Sequence, residues 1–302
     1  MSQSNKPRVA VVFGGRSSEH SISCVSAGSV IASLDPEKYD VVPVGITRDG
    51  RWVLESADHL TIGAGGEMPE VTGTREVTLD DVGADVVFPV MHGPWGQDGT
   101  LQGQLEMTSI RYVGAGVLAS AVGTDKHFMK LLFRAQGLPT QRWVLTHARD
   151  WPGERDRIHA EVAELGWPVF VKPARAGSSF GITKVDGPEG LDAAIEEAQR
   201  HDPKVIIEEA AVGARELEIG VLQTADGAPE TSAIAEITVH GNHAFYDFEA
   251  KYLEESYALP AALDDSVASE MSELAKQAFV ALDIEGLARV DFFAFPDGRL
   301  VI

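Results

Sequence analysis

Only one of the 302 residues is a cysteine, so Cys24 has no partner for an internal disulfide and nothing in the fold depends on an oxidising compartment. Its apolar helical surroundings predict a small core residue rather than a nucleophile. Basic side chains are also few: 25 Lys and Arg stand against 46 Asp and Glu, a net charge of −21. They occur singly, which argues against a nucleic-acid partner, because neutralising a phosphate backbone needs them clustered. Any phosphate this chain handles must be held locally by a few placed lysines. No run reaches the ~18 apolar residues of a membrane span. The polar start, 1–7, has no signal-peptide core, so a cytoplasmic protein with no membrane partner is expected. Repeats and low-complexity tracts are missing as well.

What is present is a globular composition, 44% apolar and 24% charged, at a length that predicts two or three domains. The apolar run 8–13, the break at Gly14-Gly15 and a helical stretch over 21–34 read as strand, turn and helix. Strands follow at 39–46 and 84–90, with a hairpin turn at Asp49-Gly50. This makes 1–114 an open α/β sheet domain. One helix is expected over 118–136, ending at Gly137 with Pro139 beyond. Strands at 141–145, 167–173 and 204–210 and helices at 157–165 and 188–201 form an α+β unit, 115–212. From 213 to 302 the pattern turns to hairpins, with Asp226-Gly227 and Asp297-Gly298 as turns. Between them, Val267, Met271, Leu274, Ala275, Ala278, Phe279 and Leu282 mark one face of a long helix.

Several loops carry chemistry. Gly14-Gly15-Arg16-Ser17-Ser18-Glu19 sits where a parallel sheet presents ligands but lacks the glycine spacing of a dinucleotide fingerprint. It is either a capped turn or a ligand loop whose Glu19 accepts hydrogen bonds from an ammonium. His92, at the head of the glycine-rich stretch ending at Thr100, reads on its own as a turn histidine. Lys172 followed by 173–181, with Gly177, Ser178, Ser179 and Gly181, is a flexible loop whose backbone N–H groups can wrap a polyphosphate while the lysine supplies the point charge. It is not a Walker loop, since the lysine precedes the glycines. The passage from strand to linker over 205–212, followed by Glu216, offers an apolar edge and an acceptor for a nucleoside. The segment 245–252 mixes aromatics and acids with Lys251, as a functional loop or an aromatic-packed strand end. Arg289 and Asp291 lie two apart on a strand, hence on one face, either as a plain salt bridge or, with Phe293 suggesting partial burial, as functional charges.

In this order, Phe13-Gly14-Gly15 with Ser18-Glu19, His92-Gly93 with Gln97-Asp98-Gly99-Thr100, Gly177-Ser178-Ser179, Glu249-Ala250-Lys251-Tyr252 and Arg289-Val290-Asp291 resemble the D-alanine:D-alanine ligase family of the ATP-grasp superfamily, over essentially the whole chain. The resemblance implies an ATP-grasp fold, central lobe 115–212 and C-terminal lobe 213–302, preceded by the α/β domain. It implies an ADP-forming carbon–nitrogen ligase of peptidoglycan precursor synthesis: ATP phosphorylates the carboxylate of one D-alanine, and the amine of a second attacks the acylphosphate. Lys126, Lys172 and the Ser178-Ser179 loop would hold phosphates, Glu209 and Val212 would line the adenine, Glu216 would take the ribose and Lys251 would reach the γ-phosphate. Glu19, near His92, would take the ammonium of the first D-alanine, and Glu19, Ser178 and Tyr252 would form a hydrogen-bonded link that closes the site. Arg289 would stabilise the carboxylate and oxyanion, and Asp291 would bind Mg²⁺ or Mn²⁺. The Tyr252 pattern favours D-alanine over D-lactate as second substrate, and the family suggests a homodimer.

The resemblance also implies a Glu-x-Asn metal pair and a second D-alanine segment past Ile302, so 213–302 is expected to be a truncated lobe. Pairing Pro296 with Arg299 and Phe293 with Ile302 across a two-residue turn puts the partner of Asp291 about two residues further on. The alternative reading is a catalytically silent or truncated nucleotide-binding module.

Overall fold

The computed structural model describes residues 6–63, 65–177, 180–237 and 257–302. The chain divides into two units, Met1–Ala121 and Val122–Ile302.

In the first unit β1 (Arg8–Gly14) leads through α1 (His20–Ser33) to β2 (Asp40–Ile46), which turns back into the short β3 (Trp52–Leu54). After α2 (Leu79–Val82), β4 (Val86–Pro89) returns on the opposite side of β1, and α3 (Thr100–Met107) and β5 (Arg111–Tyr112) follow. The sheet order is β3-β2-β1-β4-β5, with β1 parallel to both β2 and β4. Val9, Ala10, Val11, Val12 and Phe13 are all buried, because β1 is covered on both faces. Ala10 and Val12 pack with Leu101 and Leu105, while Val9, Val11 and Phe13 pack with Cys24 and Ala27. An unbroken apolar run is the signature of such a strand. Cys24 is the expected core residue; burial pushes its thiol up to about 12, where it is unreactive.

The helix expected over 118–136 is two helices, α4 (Val117–Thr124) and α5 (Lys126–Ala135). Asp125 breaks it by leaving helical geometry and accepting N–H bonds from His127 and Phe128 at 3.1 and 3.2 Å. The Lys204 ammonium binds the same buried carboxylate at 2.7 Å, so a cap and an ion pair together offset the lost helical bonds.

The second unit continues with β6 (Trp143–His147), α6 (Trp151–Leu165), β7 (Val169–Pro173), β8 (Thr183–Val185), α7 (Leu191–Gln199) and β9 (Lys204–Glu209). They form an antiparallel sheet in the order β6-β9-β7-β8. Alternation gives it two unlike faces. Val169, Val171, Val205 and Ile207 pack against Ile158, Val162, Leu191 and Ile195 of α6 and α7. Phe170, Lys172, Lys204, Ile206 and Glu208 point the other way.

A second sheet, order β12-β11-β10-β13-β14, contains β10 (Arg215–Gln223), β11 (Pro229–Ile237), β12 (Tyr257–Ala258), β13 (Leu287–Ala294) and β14 (Leu300–Val301). Its inner face, including Leu217, Ile219, Val290 and Phe292, packs on Met271, Ala275, Ala278 and Phe279 of α8 (Asp265–Ala281). These are residues of the expected apolar face. The β13–β14 register differs by one from that expected: Phe293 pairs with Val301 and Ala294 with Leu300. Pro296 has no N–H to offer a two-residue hairpin. The loop instead closes at Phe295, whose N–H donates to Arg299 O at 2.9 Å, with Gly298 at φ 90°.

Candidate active site

Because the chain leaves β1 for β2 on one side and returns to β4 on the other, the carboxyl ends of β1 and β4 flank a topological switch point, where open α/β sheets bind ligands. Both loops singled out in this part of the sequence begin there. Ser17 and Glu19 are buried after β1, and His92 and Gly93 follow β4. The Ser17 hydroxyl donates to His92 O at 2.8 Å and accepts from Glu19 N–H at 3.1 Å, so one hydroxyl joins the two loops. A Cβ on Gly93 would stand 2.5 Å from Glu19 Oε2, which puts the carboxylate directly against the Gly93 backbone. Burial lowers the His92 imidazole below its ordinary value while the nearby Glu19 carboxylate pulls it back up. His20 braces the turn from below: its Nδ1 lies 2.6 Å from Gly15 O and its Nε2 accepts from Val71 N–H at 3.1 Å, leaving Nδ1 to carry the proton.

In the second unit the polar face of the β6–β9 sheet meets α5. Glu208 is the hinge of the cluster, with one carboxylate oxygen paired to Lys130 of α5 and the other to Lys172 of β7. Burial alone would raise its carboxyl, but Lys172 and Lys130 outweigh that and hold it down to about 2. The Lys126 ammonium donates to Ala176 O at 2.6 Å, at the root of the glycine-rich loop, and burial followed by Lys172 lowers it to about 8. Three ammoniums, Lys130 buried and Lys126 and Lys172 half-buried, thus gather around one carboxylate with an excess of positive charge. The loop's root is clamped on its other side by Asp202, which takes Arg175 at 2.6 and 3.0 Å and the Lys204 N–H at 3.0 Å.

Lys126 and Lys172, read from the sequence as phosphate ligands, are therefore together, while Glu208 and Lys130 were overlooked. Strand alternation was the available signal, since Lys172, Ile206 and Glu208 share a face of paired strands. Glu209 lies on the opposite face: Arg142 donates to its carboxylate at 2.9 and 2.8 Å, and its carbonyl accepts from Gln141 at 2.8 Å. Val212 is exposed just past β9. Glu216, Glu218, Arg289 and Asp291 lie on the outer face of the second sheet, where Glu218 is the cross-strand partner of Asp291. Arg289 binds Asp291 at 2.7 and 2.9 Å and Glu218 at 3.2 Å. Arg289 and Asp291 are not sheltered as expected; their side chains are 57% and 62% exposed, because α8 covers only the other face. Ser178, Ser179, Lys251 and Tyr252 lie outside the described residues.

The sequence model described as D-ala D-ala ligase N-terminus matches residues 8–115, and the one described as D-ala D-ala ligase C-terminus matches 132–302. The chain belongs to the D-alanine–D-alanine ligase family. It is 51% identical to the D-alanine–D-alanine ligase of Pseudarthrobacter chlorophenolicus, covering 98% of this chain and 84% of that protein. For the enzyme of the same name from Kineococcus radiotolerans the identity is 53%, with 98% and 86% covered. Among solved structures, the VanG D-Ala:D-Ser ligase of Enterococcus faecalis superposes with a TM-score of 0.79 at 32% identity, covering 99% of this chain and 89% of that one. The D-alanine–D-alanine ligase of Coxiella burnetii gives 0.79 and 32%, covering 99% and 83%. The ligase fold is thus that of a multi-domain α/β and α+β ATP-grasp protein, as the sequence led us to expect. Among the described residues no helix is long and apolar enough to cross a membrane.

Proposed function

We propose that the chain is an ATP-dependent ligase that joins two D-alanines through a D-alanyl phosphate, with ATP as substrate and ADP and phosphate as products. The observation that carries the nucleotide half is the Lys126, Lys130, Lys172 and Glu208 cluster beneath the glycine-rich loop. Phosphoryl transfer needs positioning and charge stabilisation more than covalent chemistry, and buried ammoniums beside a loop of backbone donors supply both. A carboxylate oxygen of the first D-alanine attacks the γ-phosphorus and ADP leaves. The amine of the second D-alanine then attacks the acyl carbon, and phosphate leaves as the dipeptide bond forms.

Glu19 receives the first ammonium beside His92, and Arg289 meets the carboxylate and the developing oxyanion. Glu216 takes the ribose, Val212 lines the adenine, and Glu209 contributes there through its backbone, since Arg142 holds its carboxylate. Ser178 and Ser179 add phosphate donors, Lys251 reaches the γ-phosphate, and Ser178 and Tyr252 join Glu19 in closing the site. Asp291 is the metal ligand in this reading. Mg²⁺ or Mn²⁺ would neutralise charge on the phosphates. Mg²⁺ takes one or two carboxylates with water and substrate oxygens, and the exposed Asp291 carboxylate, which pairs with Arg289, would supply one of them. The three-lobe division at 115 and 213, a homodimer and a cytoplasmic location complete the proposal. Phosphate release that requires ATP, a divalent cation and D-alanine together is the expected result; ATP binding without turnover would point to a silent nucleotide-binding module.

A further inference from the structure

The serines of α1 divide into two kinds. Ser29 and Ser33 donate to the carbonyls of Val25 and Ser29, one helical turn back, as helix-interior serines commonly do. Ser23 and Ser26, three apart and so on one face of the helix, instead reach β4 and the loop after it. Ser23 is fully buried, accepts from Gly14 N–H at 2.8 Å and donates to Val90 O at 2.6 Å, tying together the ends of the two strands that carry the amino-acid loops. Ser26 Oγ lies 3.0 Å from Nε2 of His92. His92 is thus gripped twice, at its carbonyl by Ser17 and at its ring by Ser26. A histidine presented to a ligand works through one chosen nitrogen, and a hydroxyl on the other nitrogen, able to bond either tautomer, sets the ring's rotation.

We propose that Ser26 is a positioning residue of the amino-acid site, acting through the His92 imidazole to hold one ring orientation toward the first D-alanine. The inference rests on the reading of Glu19 and His92 as the D-alanine site. Ser23 sets the spacing of the two loops and Ser26 sets the direction of the group between them.

The test uses Ser26→Ala, Ser26→Thr, which keeps the hydroxyl, and Ser29→Ala as a control on the same helix. Loss of one hydrogen bond to the ring is expected to raise the KM for D-alanine roughly fivefold to tenfold in Ser26→Ala. The KM for ATP stays within about twofold of its original value, and Ser26→Thr and Ser29→Ala keep both constants. A general folding defect would instead lower the active fraction or move both constants. The nuclear magnetic resonance signals of the His92 ring read the same inference without any turnover: one sharp set in the unsubstituted protein, shifted and broadened in Ser26→Ala. Unchanged ring signals in Ser26→Ala, or a D-alanine KM equal to that of the unsubstituted enzyme, overturn the role of Ser26. Turnover of the unsubstituted protein tests the ligase reading separately.

Discussion

Lys172 of β7 and Glu208 of β9 form an ion pair in which Lys130 of α5 holds the second carboxylate oxygen. Removing the carboxylate leaves uncompensated ammoniums, whereas removing Lys172 leaves Glu208 still paired. Glu208→Ala is therefore expected to cost about 3–5 kcal/mol of stability. Urea unfolding checks this, and an unchanged midpoint would contradict it.

Lys172→Met should fold and lose nucleotide. With one charge-assisted contact gone, the Kd for ATP rises roughly tenfold to a hundredfold. Calorimetric titration measures it; an ATP affinity equal to that of the unsubstituted protein would remove Lys172 from the phosphate site.

The pH dependence has two parts of the same sign, one acidic and one alkaline. Glu208 is held at about 2 in the folded state against an ordinary 4.5, so its contribution to stability is complete above 4.5 and is lost as the pH falls toward 2. Lys126 is lowered from 10.5 to about 8, so between those values the unfolded chain binds more protons and the Lys126 contribution to stability rises with pH. Nucleotide phosphate favours the charged ammonium. ATP affinity should consequently weaken as the pH rises through about 8, with protons taken up on binding near that pH. Titrations in buffers of different ionisation enthalpy detect the uptake, and a Lys126→Met variant with the same pH profile would assign it elsewhere.

At Gly93 backbone and site meet. Its φ of 72° disfavours any side chain, and a Cβ would press on Glu19 Oε2 at 2.5 Å. Displacing that carboxylate in Gly93→Ala should raise the D-alanine KM about tenfold, the loss of roughly one charge-assisted contact, while the left-handed conformation separately costs about 1–2 kcal/mol of stability. ATP binding should not move, and steady-state kinetics in each substrate separates the two.

Much of this was legible in the chain itself. The apolar run Val9–Phe13 reads as a strand, and β1 is covered on both faces. The family resemblance, rather than the glycine turn alone, puts Glu19 near His92, and the Glu19 carboxylate lies against Gly93. Three features escape the sequence reading, two because long-range partners decide them and the third through the chemistry of its own turn. Asp125 breaks a helical pattern because Lys204, far along the chain, binds its carboxylate. The identity of the buried acid turned on strand phase: Glu208 and Glu209 are adjacent, but only Glu208 faces the lysines, and Arg142 takes the other. The β13–β14 register depended on a proline lacking an N–H and a glycine at φ 90°.

The central claim is chemical, and one product analysis tests it most directly. The protein is incubated with ATP, Mg²⁺ and equal amounts of D-alanine and D-lactate at neutral pH, and the products are separated and weighed by mass spectrometry. The account predicts D-alanyl-D-alanine formed one-for-one with ADP and in excess over any D-alanyl-D-lactate. ADP without dipeptide, or the depsipeptide as main product, would contradict it.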